Sequence, residues 1–331
     1  MTDSTSLGPW IRRFLLEHLV GERNLSTNTQ KSYRDMLMQL LPFLGEELSK
    51  PVDRLIVTDV SGKLVRLFLT HLEAKRHCAV STRNQRLGGI HALAKFVSEH
   101  RPEYIAWATE IRQIPFKKFT APAITCLDRT EMNALLDAPD RSTAQGRREY
   151  ALLLFLYNSG ARASEAAELT IANLDWYSRS VQILGKGKKL RTCPLWPITI
   201  KTLRPLTAGR DSTERIFLNR LSQAITRSGI HAFVKRCAAR ASQTTCSLAG
   251  KKVGPHTIRH STASHLLRAG VDLNTIRAWL GHVSINTTNI YAEIDLEMKA
   301  RALAACTPTG RRARARSWRS QPALMEFLRT L

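Results

Sequence analysis

Residues 254–291 read GPHTIRHSTASHLLRAGVDLNTIRAWLGHVSINTTNIY, and the rest of the chain is organised around them. His256, Arg259 and His260 fall at one helix start. On a helix, positions 256 and 259 share a face one turn apart, so an imidazole and a guanidinium can converge on one small anion. His282 follows in a Leu-Gly-His turn 23 residues after Arg259, and Tyr291 comes nine residues later. The phenol therefore closes the segment that gathers the cations, where it would meet the anion they hold.

The 331 residues suggest two domains, each long enough to bury a core. Lys and Arg number 50 against 27 Asp and Glu, a net charge of +23. An excess of that size points to a polyanionic partner, nucleic acid ahead of an anionic membrane; the plainer explanation is a basic but merely solvated surface. Six cysteines lie far apart with no Cys-x-x-Cys pair, which argues against a zinc module or a disulfide framework and predicts reduced, mostly buried thiols. No apolar run approaches the ~20 residues of a membrane span and no signal peptide opens the chain, so the expected location is the bacterial cytoplasm, at the nucleoid.

Outward toward the N-terminus, apolar residues recur at helical spacing four times between Pro9 and Val97, around Trp10–Leu15, Tyr33–Leu41, Val60–Leu72 and Leu87–Val97. Two helices are expected to start from hydroxyl-rich leaders, Ser26-Thr27-Asn28-Thr29 and Ser81-Thr82-Arg83-Asn84. Lys31, Arg34, Arg83 and Arg86 stand beside these starts, where cations and helix N-termini can face a phosphate backbone together. Prolines and lysines break the pattern after Arg112, so residues 1–112 form a helical domain, 113–126 a linker, 127–306 a second domain and 307–331 a basic tail. In the second domain a buried helix, Arg148 to Asn158, stops at Ser159-Gly160, and Arg162 begins the next with Glu165 one turn on. Val181–Leu184 and Leu190–Leu195 make a hairpin around Gly185-Lys186-Gly187-Lys188-Lys189. The fold class is mainly α with a small β-sheet or hairpin, α+β.

Phosphoryl transfer without a metal needs a nucleophile, cations for the non-bridging oxygens and an acid for the leaving oxygen. Tyr291, with an ordinary pKa of about 10, needs a proton acceptor and a positive surround. Arg162, Arg259 and Lys186 offer the charge and His256 the acceptor; guanidinium suits the clamp because it stays charged and grips phosphate oxygens with a planar fork. Singly, each residue has a plain structural explanation, Arg162 as the ion-pair partner of Glu165 among them. In combined order and spacing, Gly-x-Arg-x-Ser-Glu at 160–165, Lys186 in Gly-Lys-Gly, His-x-x-Arg-His at 256–260, Leu-Gly-His at 280–282 and then Tyr291 resemble the tyrosine recombinases, the phage integrase family, most of all Xer recombinases and mobile-element integrases.

The resemblance implies a helical, SAM-like core-binding domain and a catalytic domain that clamp double-stranded DNA at a specific recombination site. It implies that Tyr291 attacks the scissile phosphate to give a 3′-phosphotyrosine and a free 5′-hydroxyl, and that Arg162 and Arg259 stabilise the transition state. Lys186 would protonate the 5′-oxygen, His256 would exchange a proton with the nucleophile and His282 would hydrogen-bond a phosphate oxygen. Glu165 would orient neighbouring cations, and His260 would support the site from behind. Strands would be swapped through a Holliday junction in a homotetramer, or a heterotetramer with a sister recombinase. The covalent bond conserves the phosphodiester energy, so no metal, ATP or other cofactor is implied. Lys188, with the four cations of the first domain, is expected to contact DNA. Two other functions fit the same residues less well: a type IB topoisomerase, and a DNA-binding accessory protein without chemistry.

Overall fold

A computed structural model describes residues 5–119, 124–185, 187, 189–281 and 329 of the protein. The chain forms two compact units, Met1–Pro122 and Ala123–Leu331. Lys186, Lys188, His282, Tyr291 and nearly all of the basic tail lie outside the described residues.

The first unit is helical. Helix α1 (Leu7–Arg13) runs on through a wider, π-wound stretch (Phe14–Glu22), followed by α2 (Thr27–Glu47), α3 (Gly62–Ala74), α4 (Val80–His100) and α5 (Ile105–Arg112). The apolar stripes become the core: Trp10 and Phe14, Met36, Leu37 and Leu40, Val65, Phe68, Leu69 and Leu72, and Leu87, Ile90, Leu93 and Val97 are all buried. Each such side chain contributes about 1.5–3 kcal/mol on full burial, so the stripes rather than local propensity hold the bundle together. Helix α5 had no signal strong enough to register, being short, yet Ala108 and Ile111 bury in the same core.

The two expected caps differ in outcome. Ser26 caps α2, its Oγ accepting from the Thr29 amide at 3.4 Å. The Ser81 leader is a correction: α4 already begins at Val80 after Ala79, so these residues lie inside the first turn and cap nothing. Asn84 instead pins the chain after α5, donating to the Lys117 carbonyl at 2.8 Å and accepting from the Lys117 amide at 3.0 Å.

The second unit contains α6 (Arg129–Asp137), α7 (Ala144–Ser159), α8 (Ala163–Glu168), a three-stranded antiparallel sheet in the order β1 (Leu174–Asp175), β2 (Ser180–Leu184), β3 (Leu190–Pro194), and then α9 (Pro197–Thr207), α10 (Arg227–Thr244), α11 (Pro255–Arg268) and α12 (Leu273–Leu280). The hairpin forms as expected, with Val181 opposite Cys193 and Ile183 opposite Arg191; β1 and α9 are additions. Helix α7 is the central element, since Ala151 to Leu156 are buried without a break. Its Asn158 side chain ties three elements together, donating to the Pro194 carbonyl at 3.1 Å and accepting from the Trp196 amide at 2.7 Å and the Thr199 hydroxyl at 2.9 Å. Helix α11 lies against α7 and α12, and Thr262 donates to the Tyr157 carbonyl at 2.7 Å.

The thiols need a correction. Of the described cysteines only Cys193 and Cys237 are buried, with Cys78 and Cys126 half-buried and Cys246 exposed, though all are free. Among the described residues no helix is long and apolar enough to cross a membrane.

Candidate active site

The site begins where α7 ends. Gly160 terminates that helix at φ +59°, a left-handed conformation that a side chain strains, and a Cβ there would stand 2.3 Å from a Leu280 methyl. The chain can therefore reverse closely against the end of α12 and start α8 with Arg162 as its first flanking residue. The Glu165 carboxylate reaches back along that turn. It accepts from the Arg162 amide at 2.9 Å and pairs with the Arg162 guanidinium at 2.6 Å.

Arg259, one turn into α11, is 4% exposed. Its Nη1 donates to the Gly160 carbonyl at 2.6 Å and its Nη2 to the Leu280 carbonyl at 2.7 Å. One side chain thus joins the turn that carries Arg162 to the turn that leads into His282. The α12 carbonyl it binds is one of those a helix leaves unsatisfied at its C-terminus, and Gly281 ends that helix at φ +64°.

The histidines lie in a positive field. His256 reaches the surface, but its pKa is lowered by partial desolvation first, then by the charges of His231, Arg259, Arg227 and Arg162. The rings of His231 and His256 are 6.2 Å apart. Burial chiefly, with His256 and Arg259 adding to it, lowers the pKa of His260 to about 4. Both imidazoles are therefore neutral at pH 7, the form that can accept a proton. Glu165 responds oppositely: burial pulls its pKa up, but hydrogen bonds and charge from Arg191, with Arg162 adding to them, outweigh that and hold it below the ordinary carboxylate range.

The structure thus draws Arg162, Glu165, Arg259, His256 and His260 into one region at the starts of α8 and α11. Lys186, His282 and Tyr291 fall outside the described residues, but Gly185 and Gly281, which precede the first two, are placed. Sequence reading missed Arg191. This residue is 9% exposed, on the inward face of β3, and its Nη2 binds Glu165 at 2.7 Å while its Nε donates to the Trp279 carbonyl at 3.0 Å. Its one signal in the sequence was position, since it alternates with Cys193 on the strand. His231 and Arg227, at the start of α10, were missed for want of any motif.

The expected DNA contacts in the first unit divide. Lys31 and Arg34 are exposed on α2, Arg34 paired with Asp35 at 2.7 Å. Arg83 and Arg86 are half-buried and also brace the bundle, Arg83 donating to Asn84 at 2.9 Å and the Pro115 carbonyl at 3.2 Å, Arg86 to the Ser32 carbonyl at 3.1 Å.

Comparison with known proteins gives this geometry its context. Residues 125–298 match the model of the phage integrase family and residues 11–100 that of the phage integrase N-terminal SAM-like domain. The y4rC protein of Sinorhizobium fredii is 36% identical over the full length of both chains. The tyrosine recombinase XerC of Pelobacter propionicus is 30% identical, over 87% of this chain and 91% of its own. Among solved structures, the XerH site-specific recombinase bound to a palindromic difH substrate has the same fold, with a TM-score of 0.65 at 21% identity over 86% of this chain and 81% of that one. With its catalytic and N-terminal portions both matched and a full-length relative of this similarity, the chain belongs to the phage integrase family, the tyrosine recombinases.

Proposed function

We propose that this tyrosine recombinase, which cleaves and rejoins DNA at specific sites, does so through Tyr291 and a 3′-phosphotyrosine intermediate. The Tyr291 oxygen forms a bond to the scissile phosphorus as the bond from phosphorus to the 5′-oxygen breaks. The phenol proton passes to His256, and Lys186 gives the departing oxygen its proton. Arg162 and Arg259 bind the non-bridging oxygens, His282 adds a hydrogen bond to one of them, and Glu165 and His260 keep these groups oriented. A partner strand's 5′-hydroxyl then attacks the phosphotyrosine, which restores Tyr291 and passes the strand through a Holliday junction.

The observation that carries this reading is the bond from Arg259 to the Gly160 carbonyl, because it sets the start of α11 against the start of α8. The two arginines reach one region although they stand 97 positions apart in the sequence. Neutral His256 beside them supports its part as proton acceptor.

The partner is double-stranded DNA at a recombination site, the kind of ligand seen with XerH. The active assembly is a homotetramer, or a heterotetramer with a sister recombinase, working on the nucleoid in the cytoplasm. Residues 1–112 act as the core-binding domain and 127–306 as the catalytic domain, with the linker 113–126 between them and the basic tail 307–331 after. Lys31, Arg34, Arg83, Arg86 and Lys188 contact the DNA backbone.

The test uses a duplex recovered by binding selection from a random library, with a nick beside the cleaved phosphate so that the covalent adduct is trapped. Wild type should form the adduct, and Tyr291→Phe should bind this duplex with unchanged affinity and form none. An adduct with Tyr291→Phe would overturn the assignment.

A further inference from the structure

We propose that Arg191 is a positioning residue for strand cleavage, holding from inside the sheet the three backbone segments that lead into Arg162, Lys186 and His282. The proposal rests on the catalytic roles assigned above, and Arg191 itself contacts no reacting atom in it.

Three contacts define the position. Nη2 of Arg191 binds the Glu165 oxygen that also accepts from the Arg162 amide, at 2.7 and 2.9 Å respectively, so Glu165 is gripped from both sides. Nε donates to the Trp279 carbonyl at 3.0 Å, fixing the last turn of α12 two residues before Gly281. The guanidinium also fills the space left by two glycines. A Cβ at Gly185 would stand 3.2 Å from Arg191 Nη1, and one at Gly281 3.1 Å from Cδ and 3.2 Å from Nη1. Those glycines come immediately before Lys186 and His282 in the chain.

Stability does not call for an arginine here. The neighbouring inward positions, Val181, Ile183 and Cys193, are apolar, and an apolar residue at 191 would complete that face of the hairpin. Arg191 instead buries a charge and leaves its Nη1 buried with no hydrogen-bond partner among the described residues. A buried ionic group is commonly no better for stability than well-packed apolar side chains, and a retained local cost of this kind is a mark of function. The fork is needed because a carboxylate and a carbonyl must be held in two directions by one rigid plane. A lysine has a single ammonium on a flexible stem and can hold one of them.

The experiment measures single-turnover adduct formation by the full chain on the nicked duplex described above, at saturating protein, with rate constant and amplitude read separately. A purely structural role would reduce the folded fraction and so the amplitude. A positioning role lowers the rate constant at full amplitude. Arg191→Met should lower the rate constant about 10²-fold, the scale of a small misplacement of reacting groups, with DNA affinity within about threefold of wild type. Arg191→Lys should fall between the two. A rate constant equal to wild type, with or without loss of amplitude, would overturn the proposal. Should Arg191→Met fail to fold because Glu165 is stranded, Glu165→Gln/Arg191→Met removes both charges and is compared with Glu165→Gln alone. A slower double variant supports the proposal through the Trp279 contact, and equal rates overturn it. Failure of the catalytic reading itself appears elsewhere, as an adduct formed by Tyr291→Phe.

Discussion

Replacing Arg259 by alanine should damage the protein before any DNA is present, which distinguishes it from Arg162. In the DNA-free protein Arg259 donates to two backbone carbonyls, those of Gly160 and Leu280. Hydrogen bonds to a charged group are worth about 1.5–3 kcal/mol each, and removing the donor strands two carbonyls at closely packed turns. Relief from burying the guanidinium offsets part of this, leaving an expected loss of about 2–4 kcal/mol. The Arg162 side chain is 27% exposed and its partner Glu165 keeps Arg191. Arg162→Ala should therefore cost no more than about 1 kcal/mol. Each variant should nonetheless lose about 10²–10³-fold in cleavage rate, as when a donor to a developing oxyanion is removed. Urea unfolding of the full chain, with hydrogen exchange followed in peptides from α11, measures the stability difference where it arises. If Arg259→Ala were as stable as wild type, or Arg162→Ala lost as much as Arg259→Ala, the two-carbonyl clasp would not be what joins these turns.

Gly160→Ala should destabilise the chain by about 2–5 kcal/mol, the sum of a left-handed alanine and overpacking against Leu280, measured by the same urea titration. Acid should weaken the fold first through its histidines. His260 is held at about 4 against 6.5, so the unfolded chain takes up its proton more readily, and the stability it contributes is complete above about pH 6.5 and lost toward about pH 4. Allowing for partial exposure, His260→Gln should remove about 1–2 kcal/mol of that pH dependence, read from Tm against pH above the carboxylate range. DNA should reverse the field at His256, since a phosphate among Arg162, Arg259, Arg227 and His231 raises the pKa that these charges lower. Binding in acid buffer, below the ordinary histidine range, should then take up a fraction of a proton, while at neutral pH the imidazole stays free to accept one from the phenol. The calorimetric enthalpy in acid should depend on the buffer's ionisation heat, and no such dependence, or the same one in His256→Asn, would refute this.

The sequence was most legible where one rule had no competitor. The apolar stripes of α2, α3 and α4 could only face a common core, and the glycines around residues 185–187 could only turn a hairpin. Gly160 followed by Arg162 and Glu165 predicted a helix start with an internal ion pair, and both are present. The elements α5, β1 and α9 were illegible because their stability comes from what they pack on rather than from a local pattern. The Ser81 leader misled because Ser, Thr and Asn suit the first turn of a helix as well as its cap, and sequence alone does not say on which residue the turn begins.

Arg191 was hidden by the alternation that otherwise gives strands away. Along Leu190-Arg191-Thr192-Cys193, either face has one apolar member, and hydrophobicity favours Leu190 inside. Pairing decides otherwise: Ile183 and Val181 of β2 bury on the face that carries Arg191 and Cys193, while Leu184 and Leu190 face outward at 56% and 60% exposure. An inward arginine is tolerable only where a carboxylate waits for it, and the carboxylate is Glu165, whose position follows from the glycine-led turn before α8. The hairpin and the arginine box are therefore not separate motifs that happen to meet. One supplies a buried cation and the other its anion, so each carries the charge that makes the other's burial tolerable.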